Sequence, residues 1–194
     1  HLQARGEPVP ASLGVGTSLD ARGWETPRLD PRAVTNFAVS VELRVAAPGG
    51  ADPVTLGRGF ADGVRAVSHL PDAQLVVAGD GPEREAVDKL AGELLPGRFR
   101  RLTVAATEMP ALYRSADVFL HLSKEESFGN VYIEALGCGA PVVGHDSARL
   151  RWIVGDDAVL LDTSDPVAVA RALEQAIASR ETLVPRGVAR AATF

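Results

Sequence analysis

The stretch KEESFGNVYIEALGCGAPVVGHD, Lys124 to Asp146, decides the fold and carries the functional reading. VFLHLS, Val118 to Ser123, precedes it and reads as a buried strand. Ser127-Phe128-Gly129-Asn130 is a small-residue turn, Val131 onward is an apolar helical run, and Pro141-Val142-Val143-Gly144 reads as the next strand. A strand, turn, helix and strand in that order form a unit whose turn opens a helix. The first amides of a helix lack intrahelical partners, and the helix dipole adds partial positive charge there. A phosphate or diphosphate fits such a tip without a cation, and Gly129 permits close approach to the backbone.

Glu134 is the one formally charged residue between Glu126 and Asp146, set among Val131, Tyr132, Ile133, Ala135 and Leu136. A helix this apolar reads as buried on most sides, where a carboxylate is costly unless it is hydrogen-bonded. A ligand diol such as a ribose would satisfy it. A helix-edge position facing water, or a pairing with Arg, would serve equally well.

Working outward, the chain alternates strand and helix. Phe37–Ala46, Gln74–Ala78, Arg101–Ala105, Val118–Ser123, Pro141–Gly144 and Ala158–Asp162 are expected strands. Val54–His69, Glu83–Leu95, Thr107–Ser115 with Thr107 as N-cap, Arg149–Val154 and Asp165–Arg180 are expected helices. A last helix is expected to be split by Pro185 and Gly187. The pattern predicts an α/β fold, a Rossmann-like parallel sheet flanked by helices, over residues 37–194. Residues 1–36, broken by Pro8, Pro10, Pro27 and Pro31, are expected to be a linker or loosely packed extension. Ligands of such sheets bind at the carboxyl ends of the strands.

Composition narrows the function. Net charge is −5 with no basic run, which argues against a nucleic-acid partner. Aromatics are 5% of residues, so the core is expected to be Val, Leu and Ala rather than rings. The single Cys138 excludes an internal disulfide and reads as a buried structural thiol. His1, His69, His121 and His145 show no metal-ligand spacing; His121 reads as a core histidine, and His145, at a strand end, as within reach of the cleft. Gly14-Val15-Gly16 is no dinucleotide fingerprint, and no glycine triplet of that kind follows a strand.

Three segments together resemble the retaining glycosyltransferases of family 4 (group 1), which have the two-domain GT-B fold. ESFGNVYIEALGCGAPVV resembles that family's nucleotide-sugar signature of two glutamates around a glycine turn, with Ser127 where the first glycine is usual. LVVAGDGPEREAVDKLA resembles a second signature and LYRSADVFLHLS a third, with Leu122 in place of the usual proline. The resemblance covers about Leu70 to Phe194.

It implies the donor-binding, C-terminal domain of such an enzyme. That domain transfers a sugar from a nucleoside diphosphate sugar, with retention, to a carbohydrate or lipid-linked acceptor. Glu134 would bond the ribose hydroxyls, Glu126 would contact the donor sugar as the catalytic carboxylate, and Ser127, Phe128, Gly129 and Asn130 would hold the diphosphate. Gly79, Asp80 and Gly81 would line the cleft, and the loop at Ala106 would lie beside the base. The Arg and Lys that touch the diphosphate in the family have no direct counterpart. Val41-Glu42-Leu43-Arg44 stands there, and the chain has two lysines, Lys89 and Lys124, so Arg44 and Lys124 are the candidate substitutes. Neither a cofactor nor a metal is expected. The N-terminal acceptor domain is expected to be missing from the chain, with any peripheral membrane contact made through it, and the setting is expected to be cytoplasmic. A non-catalytic nucleotide-sugar-binding module and a GT-B sugar epimerase are the alternatives. A glycoside hydrolase pair fits less well, because the helix sets Glu134 beside the presumed ribose rather than across a sugar ring from Glu126.

Overall fold

The computed structural model describes residues 37–41, 58–79, 83–124 and 129–194. The expected extension over 1–36 and the candidates Arg44, Asp80, Gly81, Glu126, Ser127 and Phe128 lie outside the described residues.

The described strands are β1 (Phe37–Val41), β2 (Gln74–Ala78), β3 (Phe99–Leu102), β4 (Val118–His121), β5 (Val142–His145) and β6 (Val159–Leu161). The helices are α1 (Arg58–Ser68), α2 (Arg84–Leu94), α3 (Met109–Ser115), α4 (Asn130–Gly137), α5 (Ala148–Val154), α6 (Pro166–Ala178) and α7 (Arg180–Ala191). The strands form one parallel sheet in the order β3-β2-β1-β4-β5-β6. β1 pairs with β2 from Phe37↔Gln74 to Val41↔Ala78, and with β4 through Ala38↔Val118 and Val39↔Phe119. The order reverses between β1 and β4, so the crevice outside their carboxyl ends is the topological switch point.

Alternation along the strands supplies two cores, as a sheet covered on both faces requires. Leu75, Val77, Val118, Leu120 and Val143 pack against α1, α2 and α6 through Val64, Val67, Val87, Ala91, Val169 and Leu173. Val76, Ala78, Phe119 and Val142 face α3, α4 and α5 through Leu112, Tyr113, Val131, Tyr132, Leu136 and Ile153. As composition predicts, Val, Leu and Ala make up most of both cores, and three rings converge in the second. Tyr113, Tyr132 and Phe119 are the largest fully buried side chains, and Phe119 meets each tyrosine edge to face, at 5.3 and 6.0 Å.

Other boundaries move for physical reasons. β3 begins at Phe99 rather than Arg101, because its arginines serve the fold: Arg98, just before it, donates to the carbonyls of Leu70 and Ala73, and Arg101 pairs with Asp88 at 2.8 Å. Thr107 is not the N-cap of α3. Glu108 holds that position, and its carboxylate accepts from the amide of Ala105 at 2.8 Å instead of capping the helix. α7 is not split. Pro185 lies on its exposed side, and buried Gly187 admits Leu136 of α4. A Cβ at Gly187 would stand 2.7 Å from Leu136 Cδ2.

α7 runs beneath the amino-terminal edge of the sheet. Arg180 donates to the Asp117 carbonyl at 2.8 Å and also to those of Ala116 and Gly139, just before β4 and β5. Arg186 pairs with Asp157 at 2.8 Å, and Arg190 donates to the carbonyls of Ile153 and Trp152. The Arg180 bonds lie at the entries to β4 and β5, not at their carboxyl ends.

Candidate functional site

α4 starts beside the carboxyl end of β4. Its N-cap, Gly129, has φ 81° and ψ 34°, the left-handed region that favours glycine. A Cβ there would stand 2.9 Å from Ile153 Cδ1 and 3.1 Å from Tyr132 Cδ2. The glycine is thus required by the turn and by the packing of α5, quite apart from any ligand. Tyr132 is buried behind the tip, and its hydroxyl donates to the His121 carbonyl at 3.2 Å. The same ring excludes a side chain at Gly144, whose Cβ would stand 3.2 Å from Tyr132 Cε1 and 2.7 Å from Leu150 Cδ2. α1 approaches from the other side of β4: a Cβ at Gly59 would lie 3.3 Å from the Leu122 carbonyl carbon. Two helix starts therefore flank the exit of β4, the usual place for an anion in a doubly wound sheet.

Glu134 is not buried. Val131, Tyr132, Ala135 and Leu136 form the buried face of α4, whereas Asn130, Glu134 and Gly137 are exposed. Those three positions are spaced i, i+4, i+7, one stripe of a helix. The carboxylate stays hydrated, so the penalty that burial would impose does not arise. The carboxylate is still anchored, because the Tyr113 hydroxyl of α3 donates to Glu134 Oε2 at 3.2 Å. It stands one turn below the tip, about 6 Å along the axis.

The other candidates lie along the same sheet edge. Lys124 is exposed at the exit of β4, and its charge contributes to holding the Asp162 carboxyl below the usual range, after the Ser164 hydrogen bonds that are the main cause. Gly79 ends β2 with φ 134°; its amide donates to Leu102 at 3.0 Å and its carbonyl accepts from Arg101. Ala106 is exposed in the loop after β3. α4 thus gathers Gly129, Asn130 and Glu134, with Lys124 at its approach, while Gly79 and Ala106 follow strands two and three places away from β4.

Beyond β5, His145 Nδ1 lies 3.0 Å from Thr163 Oγ1. Asp146 grips Arg151 by both carboxylate oxygens, and these hydrogen bonds hold its carboxyl below the usual range. Ser147 Oγ caps α5 by accepting from the Leu150 amide. His121 is half-buried, in edge-to-face contact with Tyr132 at 5.2 Å. Cys138 is half-buried rather than buried. Among the described residues, no group of three His, Cys, Asp or Glu side chains could hold a metal, and no helix is long and apolar enough to cross a membrane. Tyr113 was missed by the sequence reading, although it stands in the segment LYRSADVFLHLS. No signal local to that segment pointed to it, because its partnership with Glu134 arises only when α3 packs on α4.

Comparison with known proteins places this arrangement. The family model "Glycosyl transferases group 1" matches residues 58–179. The lipopolysaccharide core biosynthesis glycosyltransferase LpsE of Rhizobium meliloti is 32% identical over 192 residues, covering 90% of this chain and 55% of the relative. The chain thus spans about half the length of that curated relative. Among solved structures, Anabaena HepE in complex with UDP and glucose superposes with a TM-score of 0.65 at 22% identity, over 81% of this chain and 43% of that one. The C-terminal domain of a group 1 family glycosyl transferase, LpcC of Francisella tularensis, superposes with a TM-score of 0.65 at 19% identity, over 84% of this chain and 88% of that one. The matched span runs from α1 through the glycine-opened helix α4 to the end of α6, and with the fold of a GT-B C-terminal domain around it the chain belongs to the group 1 glycosyl transferases.

Proposed function

We propose that this chain is the donor-binding half of a retaining glycosyltransferase, which transfers a sugar from a nucleoside diphosphate sugar to a carbohydrate or lipid-linked acceptor. The observation that carries the reading is the geometry of α4. An eight-residue helix opens on a left-handed glycine at the switch point and carries an exposed, anchored carboxylate one turn below its tip. In this reading the amides around Gly129 and Asn130 receive the diphosphate, and Glu134 accepts from the ribose diol. Ser127 and Phe128 would hold the diphosphate with Gly129 and Asn130, and Glu126 would contact the donor sugar. Charge that develops on the leaving diphosphate is met by oriented amides that need no reorganisation. The relatives support the substrate class, since HepE has been solved with UDP and glucose. The acceptor and the other half of the cleft would come from the remainder of a longer protein.

Calorimetric titration of the chain with UDP, GDP and ADP tests the donor site, and one of the three should bind. Failure of all three would remove the donor reading. Retention is tested on the full-length enzyme by NMR of the anomeric configuration in donor and product. Inversion would exclude the retaining assignment while leaving the donor site intact.

A further inference from the structure

Tyr113 is 1% exposed, and its ring is clamped edge to face against Phe119 at 5.3 Å and 85°. Its hydroxyl reaches Glu134 Oε2 on the neighbouring helix at 3.2 Å. Burial first, then the Glu134 charge and hydrogen bond, push the phenol far above its ordinary range. It therefore stays a donor at any working pH. Glu134 is exposed and would otherwise sample several rotamers. A rigid ring thus holds one oxygen of an exposed side chain. The hydrogen bond uses one lone pair of Oε2, and the carboxylate keeps acceptor capacity on both oxygens. Two adjacent hydroxyls of a ligand require that capacity, in a fixed orientation.

We propose that Tyr113 is a positioning residue for donor binding: its buried phenol presets the Glu134 carboxylate so that its remaining lone pairs accept from both hydroxyls of a ribose. The inference rests on the assignment of Glu134 to the ribose made above. Orientation supplied in advance favours ligands that carry the diol and gives nothing to those that lack it. A purely structural hydroxyl would change the stability of the α3–α4 contact and leave that preference alone.

The experiment compares each nucleoside diphosphate that binds with its 2′,3′-dideoxy analogue by calorimetry. It uses the wild-type chain, Tyr113→Phe, Glu134→Ala and the double variant. The wild type should prefer the ribonucleotide by about tenfold, as for hydrogen bonds to a charged group. Glu134→Ala should abolish the preference. Tyr113→Phe should reduce it about threefold, within the range for immobilising one side chain on binding, with dideoxy affinity unchanged. The double variant should behave as Glu134→Ala, because two residues acting as one unit are not additive. Phe retains the ring volume, and thermal melting checks the fold. Tyr113→Met, adaptable in a core, is the second hydroxyl-free variant and should show the same loss. A full preference retained in both Tyr113 variants, or equal losses for the two ligands, overturns the positioning role while the ribose assignment stands. A preference that survives Glu134→Ala, or the absence of any nucleotide binding, overturns the ribose assignment and the positioning role with it.

Discussion

Arg180, at the start of α7, donates to the Asp117 carbonyl at 2.8 Å, at the entry to β4 and on the opposite edge of the sheet from the candidate site. The same guanidinium reaches Ala116 and Gly139. Removing it leaves partly buried carbonyls without that donor. Arg180→Ala should cost about 1–3 kcal/mol in a urea titration and leave nucleotide affinity unchanged. Arg180→Lys should recover only part, because an ammonium lacks the planar fork that reaches several carbonyls at once. A variant that loses nucleotide binding while keeping its stability would contradict this division between the two edges.

Gly129 and Gly97 test the tip of α4 against a backbone control. Both have positive φ, 81° and 72°. A Cβ at Gly97 meets nothing within 4 Å, whereas one at Gly129 is crowded by Ile153 and Tyr132. Gly97→Ala should cost about 1 kcal/mol from the left-handed conformation alone. Gly129→Ala should cost about 1–3 kcal/mol more, because Ile153 and Tyr132 are fully buried and have little room to yield. It should also weaken the nucleotide by displacing the first amides. Equal melting temperatures for the two variants would show that the crowding is relieved without cost.

These residues also show what was legible from sequence. The parallel α/β order, the strand Gln74–Ala78 and the glycine-opened helix follow from apolar runs bounded by turn residues, a signal local to each segment. Partnerships across elements were not legible. The apolar neighbours of Glu134 suggested burial, although its i, i+4, i+7 spacing with Asn130 and Gly137 already marked an exposed stripe. Arg101 read as the start of a strand, because nothing in its own segment revealed Asp88 or the Gly79 carbonyl. Tyr113 meets Glu134 only after α3 and α4 pack together. Proline and glycine implied a break in α7, and it took the placement of Pro185 toward solvent and Gly187 toward Leu136 to show otherwise.

Acid sensitivity should reside partly in two carboxylates at the β5 and β6 ends. Arg151 hydrogen bonds hold Asp146 below its ordinary range, and the Ser164 amide does the same for Asp162. A folded-state pKa below the unfolded value of about 3.9 gives stability that is present above that pH and lost as pH falls through the folded value. The double variant Asp146→Asn, Asp162→Asn should therefore lose less stability than the wild type between pH 5 and pH 2, approximate limits set by that unfolded value. Urea midpoints at low salt measure it, and parallel acid slopes would remove these two groups from the account.

Cys138 should report the charge of Glu134 independently of any ligand. Burial raises the thiol pKa first; Arg114 opposes that shift, and the Glu134 charge adds to it. The thiolate is the reactive species. At pH 8 the folded chain should therefore react with a disulfide reagent at least about tenfold more slowly than free cysteine, and urea should restore the rate. Glu134→Gln removes a negative neighbour and should accelerate the reaction, whereas Arg114→Gln removes the opposing cation and should slow it. Tyr113→Phe leaves both charges in place, so its thiol rate should stay close to that of the wild type. An unchanged rate in Glu134→Gln would show that the carboxylate turns away from α4's own carboxyl end toward α3, and the electrostatic part of the prediction would fail.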